Sequence, residues 1–172
     1  SEISALLPRA DEFDDGKFRA LFQYRNKITK RAIWAIKYSA NKEITKKFSE
    51  LLYEFIIESI SDDITFSNFT KPIIVPVPAS KNSLRKRGYN QCESIVRELS
   101  ILDNGVNFVF CINAIKKIKE TDHQSKVKNR HERLKNLQGS MLADPKKVSG
   151  RNIILIDDVI TTGATMKEAS RS

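Results

Sequence analysis

Residues 153–165 constrain the fold more than any other stretch of this 172-residue chain. Residues 153–156 are four consecutive aliphatic residues, a pattern typical of a strand buried on both faces of a parallel sheet. Two acids follow directly, and then come small and hydroxyl-bearing residues around Gly163. This order predicts a strand, then a turn, then a helix that begins near Thr162 or Gly163.

The polar residues after this strand predict a ligand site, because open α/β sheets bind ligands at the carboxyl ends of their strands. A glycine, threonine hydroxyls and the free N–H groups of a helix N-terminus together suit an anion. Carboxylates beside an anion site fit a sugar phosphate. The turn would bind its phosphate, and Asp157 and Asp158 would accept hydrogen bonds from its hydroxyls. The simpler alternative is a threonine-capped helix with solvated acids. The threonine turn consists of Thr161, Thr162, Gly163, Ala164 and Thr165.

Upstream patterns predict the rest of an α/β fold. Apolar residues at helical spacing predict two helices on either side of Asn41, and a third helix begins at about Asn90. We expect strands at 73–77, 106–112 and 138–142, and a loop at 79–88. The predicted inner face of the first helix is Ile28, Ala32, Ala35 and Ile36, with Trp34 also in the core, and that of the second is Ile44, Phe48, Leu51, Phe55 and Ser59.

The order of these elements favours parallel strands with right-handed crossovers. We divide the chain into a tether (1–20), an N-terminal helical segment (21–70) and an α/β core (71–172). Within the core, residues 116–139 are strongly basic and carry few aliphatic side chains. They are a candidate lid over the ligand; a nucleic-acid contact and a plain surface loop are the alternatives.

Charge and cysteine content narrow the classes of partner and compartment. Thirty Lys and Arg against 21 Asp and Glu give a net charge of +9, which favours a polyanionic partner. No purely apolar run exceeds five residues, so we expect no membrane insertion. Two cysteines and an N-terminus without a leader pattern favour a reducing, cytoplasmic location.

Residues 153–165 resemble the phosphoribosyl-pyrophosphate (PRPP) motif of type I phosphoribosyltransferases. Two further stretches are similar to the ComF (competence protein F) family. One is Val-Pro-Val-Pro at 75–78 with Arg-Lys-Arg-Gly-Tyr-Asn-Gln at 85–91. The other is the spaced set Thr121, Gln124, Arg133, Asn136, Leu137 and Gly139; Lys37-Tyr38 also fits a family segment. The resemblance covers roughly residues 21–172 and implies a Rossmann-like parallel sheet with a hood insertion.

This resemblance implies roles for individual residues. Asp157 and Asp158 would hold the ribose hydroxyls, and the threonine turn would wrap the 5′-phosphate. Lid residues Gln124, Arg133 and Asn136 match the family's second pattern. We expect a basic cluster to bind pyrophosphate, with Mg²⁺ bridging the pyrophosphate oxygens. The basic cluster consists of Ser80, Lys81, Arg85, Lys86 and Arg87. The metal would be held by ligand oxygens and water, so no protein ligand is assigned.

The chain also departs from the family pattern. Asp122 stands where relatives often have Pro, Ser140-Met141 replaces Ala-Phe, and a cysteine-rich zinc element is missing. The sequence stops at Ser172, inside the predicted last helix, so we expect the family's next strand to be missing and one sheet edge to be exposed.

Two functions remain open from the sequence. The first is transfer of phosphoribosyl from PRPP to an unknown acceptor with release of pyrophosphate, linked to DNA uptake in competent bacteria. The second is a non-catalytic accessory protein that binds a nucleotide, single-stranded DNA or competence proteins. A third, weaker candidate is a scaffold for the competence machinery. The net charge suits the first two alike, and a homo-oligomer is compatible with either.

Overall fold

The computed structural model describes residues 18–66, 69–120 and 137–172, and of residues 62–66 it describes the backbone alone. The elements are α1 (Lys27–Ser39), α2 (Lys42–Phe66), β1 (Ile73–Pro76), α3 (Lys81–Arg87), α4 (Gln91–Asp103), β2 (Val109–Phe110), β3 (Ile115–Lys117), β4 (Met141–Ala143), α5 (Pro145–Val148), β5 (Ile153–Ile156) and α6 (Ala164–Arg171). The α/β class is confirmed. Residues 1–17 of the predicted tether lie outside the described part, whereas Phe18 is buried in the core.

The central sheet has the strand order β2-β1-β5, and all of its pairs are parallel. Alternate side chains of β1 and β5 point to opposite faces. Ile73 and Val75 pack with α6 and the β3–β4 hairpin, whereas Ile74 and Ile156 pack with α2 and α4. Elements cover both faces of the sheet, as expected for parallel strands. β5 is an edge of this sheet within the described residues, and three of its four residues are therefore only partly buried.

The helix ends follow from local chemistry. The side-chain oxygen of Asn26 accepts hydrogen bonds from the N–H groups of Ile28 and Thr29 and starts α1. Asn41 begins α2 in the same way through the N–H of Ile44, at 3.0 Å. α1 ends where Ala40 takes a left-handed conformation with φ 46°. Among the described residues, no helix combines the length and apolar character needed to span a lipid bilayer.

The predicted faces of the first two helices were right at Ile36 and Leu51 and shifted elsewhere. α1 buries Thr29, Ile33 and Ile36, whereas Ile28 is 56% exposed and Trp34 is 60% exposed. α2 buries a face that includes Thr45, Ser49, Ile56 and Ile60, shifted from the predicted one, although Leu51 is buried as expected. Several stripes at helical spacing exist in an α1 sequence rich in apolar residues, and the neighbouring elements decide which stripe packs.

Three other local predictions need correction. Residues 81–87 form helix α3 and not a loop, because Ser80 caps its start and Gly88 ends it at φ 79°. The strand expected at 106–112 pairs only at Val109–Phe110. Residues 115–117, most of which were assigned to a solvated lid, form β3, which pairs with β4 in an antiparallel hairpin.

Candidate functional site

Asp157 and Asp158 lie immediately after β5, beside the end of β1. The two strands stay in register to Pro76 and Ile156, and the N–H of Val77 donates to the carbonyl of Ile156 at 2.9 Å. A cavity of about 390 Å³ opens at this end of the sheet, and both aspartates line it. The sequence predicted a site at this end of the sheet, and the structure places a cavity there.

Asp157 is a carboxyl group in an unfavourable environment for its charge. Its Oδ1 accepts from the N–H of Asp158 at 2.9 Å and lies 3.6 Å from the Cys92 thiol. Burial raises the pKa of Asp157 from 3.8 to about 6, and the Lys37 charge and the Cys92 hydrogen bond oppose that rise. Burial beside Asp157 also raises the pKa of the Cys92 thiol well above its usual range. Cys92 is thus a neutral hydrogen-bond donor and not a reactive thiolate.

Asp158 pairs with a residue that the sequence did not assign to the site. The Lys37 ammonium, from α1, lies 2.5 Å from Asp158 Oδ2, and the side chains are 22% and 7% exposed. Burial lowers the pKa of Lys37, and the nearby charge of Asp157 opposes this. The Lys-Tyr pair at 37–38 was matched to a family segment, but no position in the fold could be inferred from it.

The threonine turn contributes two hydroxyl-bearing residues to the cavity wall, Thr161 and Thr165. Thr162 Oγ1 instead accepts from the N–H of Ala164 at 3.4 Å, within the turn. Gly163 has φ 73°, a left-handed conformation that side chains rarely adopt, and it leads into α6 without a side-chain cap. The N–H of Ala164 is taken up within the turn, so anion binding at the start of α6 stays a prediction.

The basic cluster divides between two surfaces. Ser80 and Arg87 line the cavity, whereas Lys81, Arg85 and Lys86 are exposed. The division follows from α3, because a helix of seven residues points its side chains in different directions whereas a loop could gather them. Arg87 Nε is buried and has no hydrogen-bond partner among the described residues. A pyrophosphate role for the whole cluster stays a prediction.

The start of α4 supplies further cavity residues that sequence reasoning missed. Asn90 caps the helix through the N–H of Cys92 and also donates from its side-chain nitrogen to the carbonyl of Val77, at 3.1 Å. Gln91 is only 6% exposed and lines the cavity, and its Oε1 has no partner within the described part of the chain. Both belong to the Arg-Gly-Tyr-Asn-Gln string, which was the available signal.

The predicted lid is described only at its base. Lys117, Leu137 and Met141 border the cavity from the side of the β3–β4 hairpin. Glu168 of α6 secures this hairpin by accepting from the N–H groups of Ser140 and Met141 at 2.8 and 3.3 Å. The lid residues Gln124, Arg133 and Asn136 lie outside the described residues.

The donor atoms around the aspartates indicate whether these side chains could bind the expected Mg²⁺ directly. Cys92, Asp157 and Asp158 each place one donor atom within 4.8 Å of the others. Mg²⁺ prefers oxygen ligands and retains water, so a neutral thiol is a poor partner for it. The nearby Lys37 ammonium also disfavours a cation bound directly to Asp158. The set therefore disfavours Mg²⁺ bound directly by these side chains, and Mg²⁺ held by ligand oxygens and water stays a prediction.

Comparison with known proteins agrees with this geometry. Residues 42–171 match the model of the phosphoribosyl transferase domain. Competence protein F of Haemophilus influenzae is 34% identical over 57% of this chain and 42% of its own length. Competence protein ComFC of Bacillus subtilis is 28% identical over 89% of this chain and 56% of its own length.

The DNA utilization protein YhgH of Escherichia coli O157:H7 is 27% identical over 81% of this chain and 58% of its own length. The chain thus spans about half the length of these relatives. No solved structure matches it. Taken with the parallel sheet and the placement of the paired aspartates, these matches show that the chain belongs to the phosphoribosyl transferase domain family, in its ComF group.

Proposed function

We propose that this protein binds PRPP with Mg²⁺ and transfers its phosphoribosyl group to an acceptor. One observation carries the proposal: the paired aspartates, two threonines of the turn and Arg87 line one cavity, and the buried Arg87 Nε has no hydrogen-bond partner among the described residues. Carboxylates that accept from hydroxyls, N–H groups that bind a phosphate and a guanidinium that binds pyrophosphate are three groups that PRPP requires in one place.

The transfer breaks the bond between C1 of the ribose and the pyrophosphate oxygen, and the electron pair leaves with pyrophosphate. A bond from the acceptor to C1 replaces it. Positive charge develops on the ribose ring, and the carboxylates of Asp157 and Asp158 stabilise it. Negative charge develops on the leaving group, near the Arg87 guanidinium, which stabilises it. Mg²⁺, when bound, neutralises pyrophosphate oxygens.

Binding is tested by thermal unfolding with and without PRPP and Mg²⁺. A ligand that binds only the folded state raises the melting temperature. We expect a shift for the wild type and none for the double variant Asp157→Asn, Asp158→Asn, each measured against its own ligand-free value. Asp144→Asn is the matched control, since Asp144 is a more exposed aspartate that caps α5 and does not line the cavity. An equal shift in the double variant contradicts the assignment.

A second candidate function, binding of single-stranded DNA, is favoured by the outer face of α1. Trp34 and Tyr38 are both 60% exposed, and their ring centroids lie 5.3 Å apart. The exposed cations Lys27 and Arg31 lie on the same helical stripe as these two rings, because positions 27, 31, 34 and 38 are four, three and four residues apart. Exposed aromatic rings among cations are what sequence-independent binding of single strands requires. The aromatic residue Phe108, which precedes the basic segment 116–139, is buried and cannot stack with bases.

The test uses the single tryptophan of the chain. Quenching of Trp34 fluorescence by an oligothymidylate is expected to weaken steeply with salt, because cations on phosphates release counterions. By fluorescence anisotropy of a labelled oligonucleotide, Tyr38→Ala should lose about tenfold in affinity, since one stacked base contributes roughly 1–3 kcal/mol. Ile101→Ala, a change at an exposed apolar residue on α4, is the control. Unchanged affinity in Tyr38→Ala rejects this surface.

A further inference from the structure

Lys37 reaches the candidate site from outside the part of the chain that matches the family model. That match begins at residue 42, whereas Lys37 lies near the end of α1. Its side chain lines the same cavity as Asp157, Asp158 and Arg87. The family model therefore does not cover the lysine that pairs with Asp158.

The packing of α1 fixes this position. Ile36 is almost fully buried, so the last turns of the helix cannot rotate freely. The Tyr89 hydroxyl donates to the Ile36 carbonyl and ties α1 to the segment between α3 and α4. Lys37 follows Ile36 directly, and its ammonium meets Asp158 at the cavity.

The ammonium and a bound ribose need the same acceptor. Asp158 Oδ2 pairs with Lys37 at 2.5 Å, and this carboxylate is also the expected acceptor for ribose hydroxyls. A half-buried ammonium that loses its carboxylate partner needs another anion, because an uncompensated buried charge is strongly unfavourable. Arg87 is close enough to repel Lys37 electrostatically, so the two cations share one region of the cavity.

We propose that Lys37 is a pyrophosphate-binding residue, which exchanges Asp158 for a pyrophosphate oxygen when the ribose hydroxyls engage the aspartates. The proposal rests on the proposed function above. Lys37 and Arg87 then hold the pyrophosphate from α1 and α3 while Asp158 becomes free for the sugar. The N-terminal helix is by this account part of the ligand site.

Isothermal titration calorimetry tests the exchange with three probes in Mg²⁺: PRPP, ribose 5-phosphate and inorganic pyrophosphate. Lys37→Met keeps the length of the side chain without its charge. We expect this variant to lose roughly tenfold to hundredfold in affinity for PRPP and pyrophosphate, the value of a charge-assisted hydrogen bond. Its affinity for ribose 5-phosphate should stay the same or rise, because the competitor for Asp158 is gone. Lys37→Arg should retain most of the PRPP affinity.

The controls separate this proposal from the proposed function. Lys30→Met removes an exposed cation elsewhere on α1 and should bind all three probes as the wild type does. If the wild type binds PRPP and Lys37→Met binds it equally well, the exchange is overturned while the proposed function stands. An equal loss of PRPP and ribose 5-phosphate in a folded Lys37→Met also overturns it, since that result marks a structural role. A wild type that binds none of the probes overturns both.

Discussion

Replacement of Asp157 by Asn should stabilise this protein at neutral pH. The pKa of Asp157 is raised by burial from 3.8 to about 6, so the folded state holds its proton more tightly than the unfolded chain does. The stability that such a protonated group contributes is fully present below pH 3.8 and is lost as the pH rises through about 6. At about 1.4 kcal/mol per pH unit, ionised Asp157 costs the folded state about 3 kcal/mol at most.

Asn preserves the local structure needed for this comparison. Its side-chain oxygen can still accept from the N–H of Asp158, as Asp157 Oδ1 does at 2.9 Å. The raised pKa already includes the attraction of Lys37, so the gain at pH 7 should be at most about 3 kcal/mol. The residue would then be kept as an acid for ligand binding at the expense of stability.

Urea unfolding from pH 4 to pH 8 measures this effect. We expect the unfolding free energy of Asp157→Asn minus that of the wild type to increase between pH 4 and pH 7 and to be flat above. Ser83→Ala, which changes a cavity residue without a titrating side chain, should follow the wild-type profile. A difference for Asp157→Asn that does not change with pH would refute the argument from burial.

Two further predictions concern the supports of the site. Glu168→Ala should lower the unfolding free energy by about 1–3 kcal/mol in urea unfolding, since the buried N–H of Met141 loses this acceptor, whereas that of Ser140 also donates to the carbonyl of Leu137. Burial raises the pKa of Glu168, but hydrogen bonds from Arg171 and the backbone outweigh burial and lower it below 4.5. The ionised carboxylate therefore stabilises the folded state above pH 4.5, and this stabilisation is lost as the pH falls. If Glu168→Gln loses stability in acid as steeply as the wild type does, this reasoning is contradicted. Tyr89→Phe removes the bond to the Ile36 carbonyl and should cost about 1 kcal/mol while weakening PRPP binding in calorimetry; wild-type PRPP affinity would show that Tyr89 does not position α1.

The sheet and the position of the aspartates could be predicted from short sequence patterns. Residues 153–156 are uniformly aliphatic, which predicts a buried strand with the two acids at its carboxyl end. The α/β class and the family are confirmed. Roles for Asp157, Asp158 and the threonine turn as a PRPP site stay predictions, although the structure places them around one cavity.

The misplaced residues share a physical cause. Lys81, Arg85 and Lys86 are near Arg87 in sequence, but α3 turns them outward. Trp34 was expected in the core because it is apolar, yet α1 already buries Thr29, Ile33 and Ile36. Sequence gives the period of a helix but not the side from which its neighbours approach.

The amino-acid sequence by itself predicted the buried strands at 73–77 and 153–156, the threonine turn and the paired acids, because burial periodicity and local capping act over a few residues. Tertiary structure alone decided that Lys37 from α1 meets Asp158, 121 positions away, and that the thiol of Cys92 lies against Asp157. These contacts depend on how α1 and α4 dock on the end of the sheet, and docking is set by shape and burial summed over many residues. The charge state of the site follows from that docking, since burial raises the pKa of Asp157 and lowers that of Lys37.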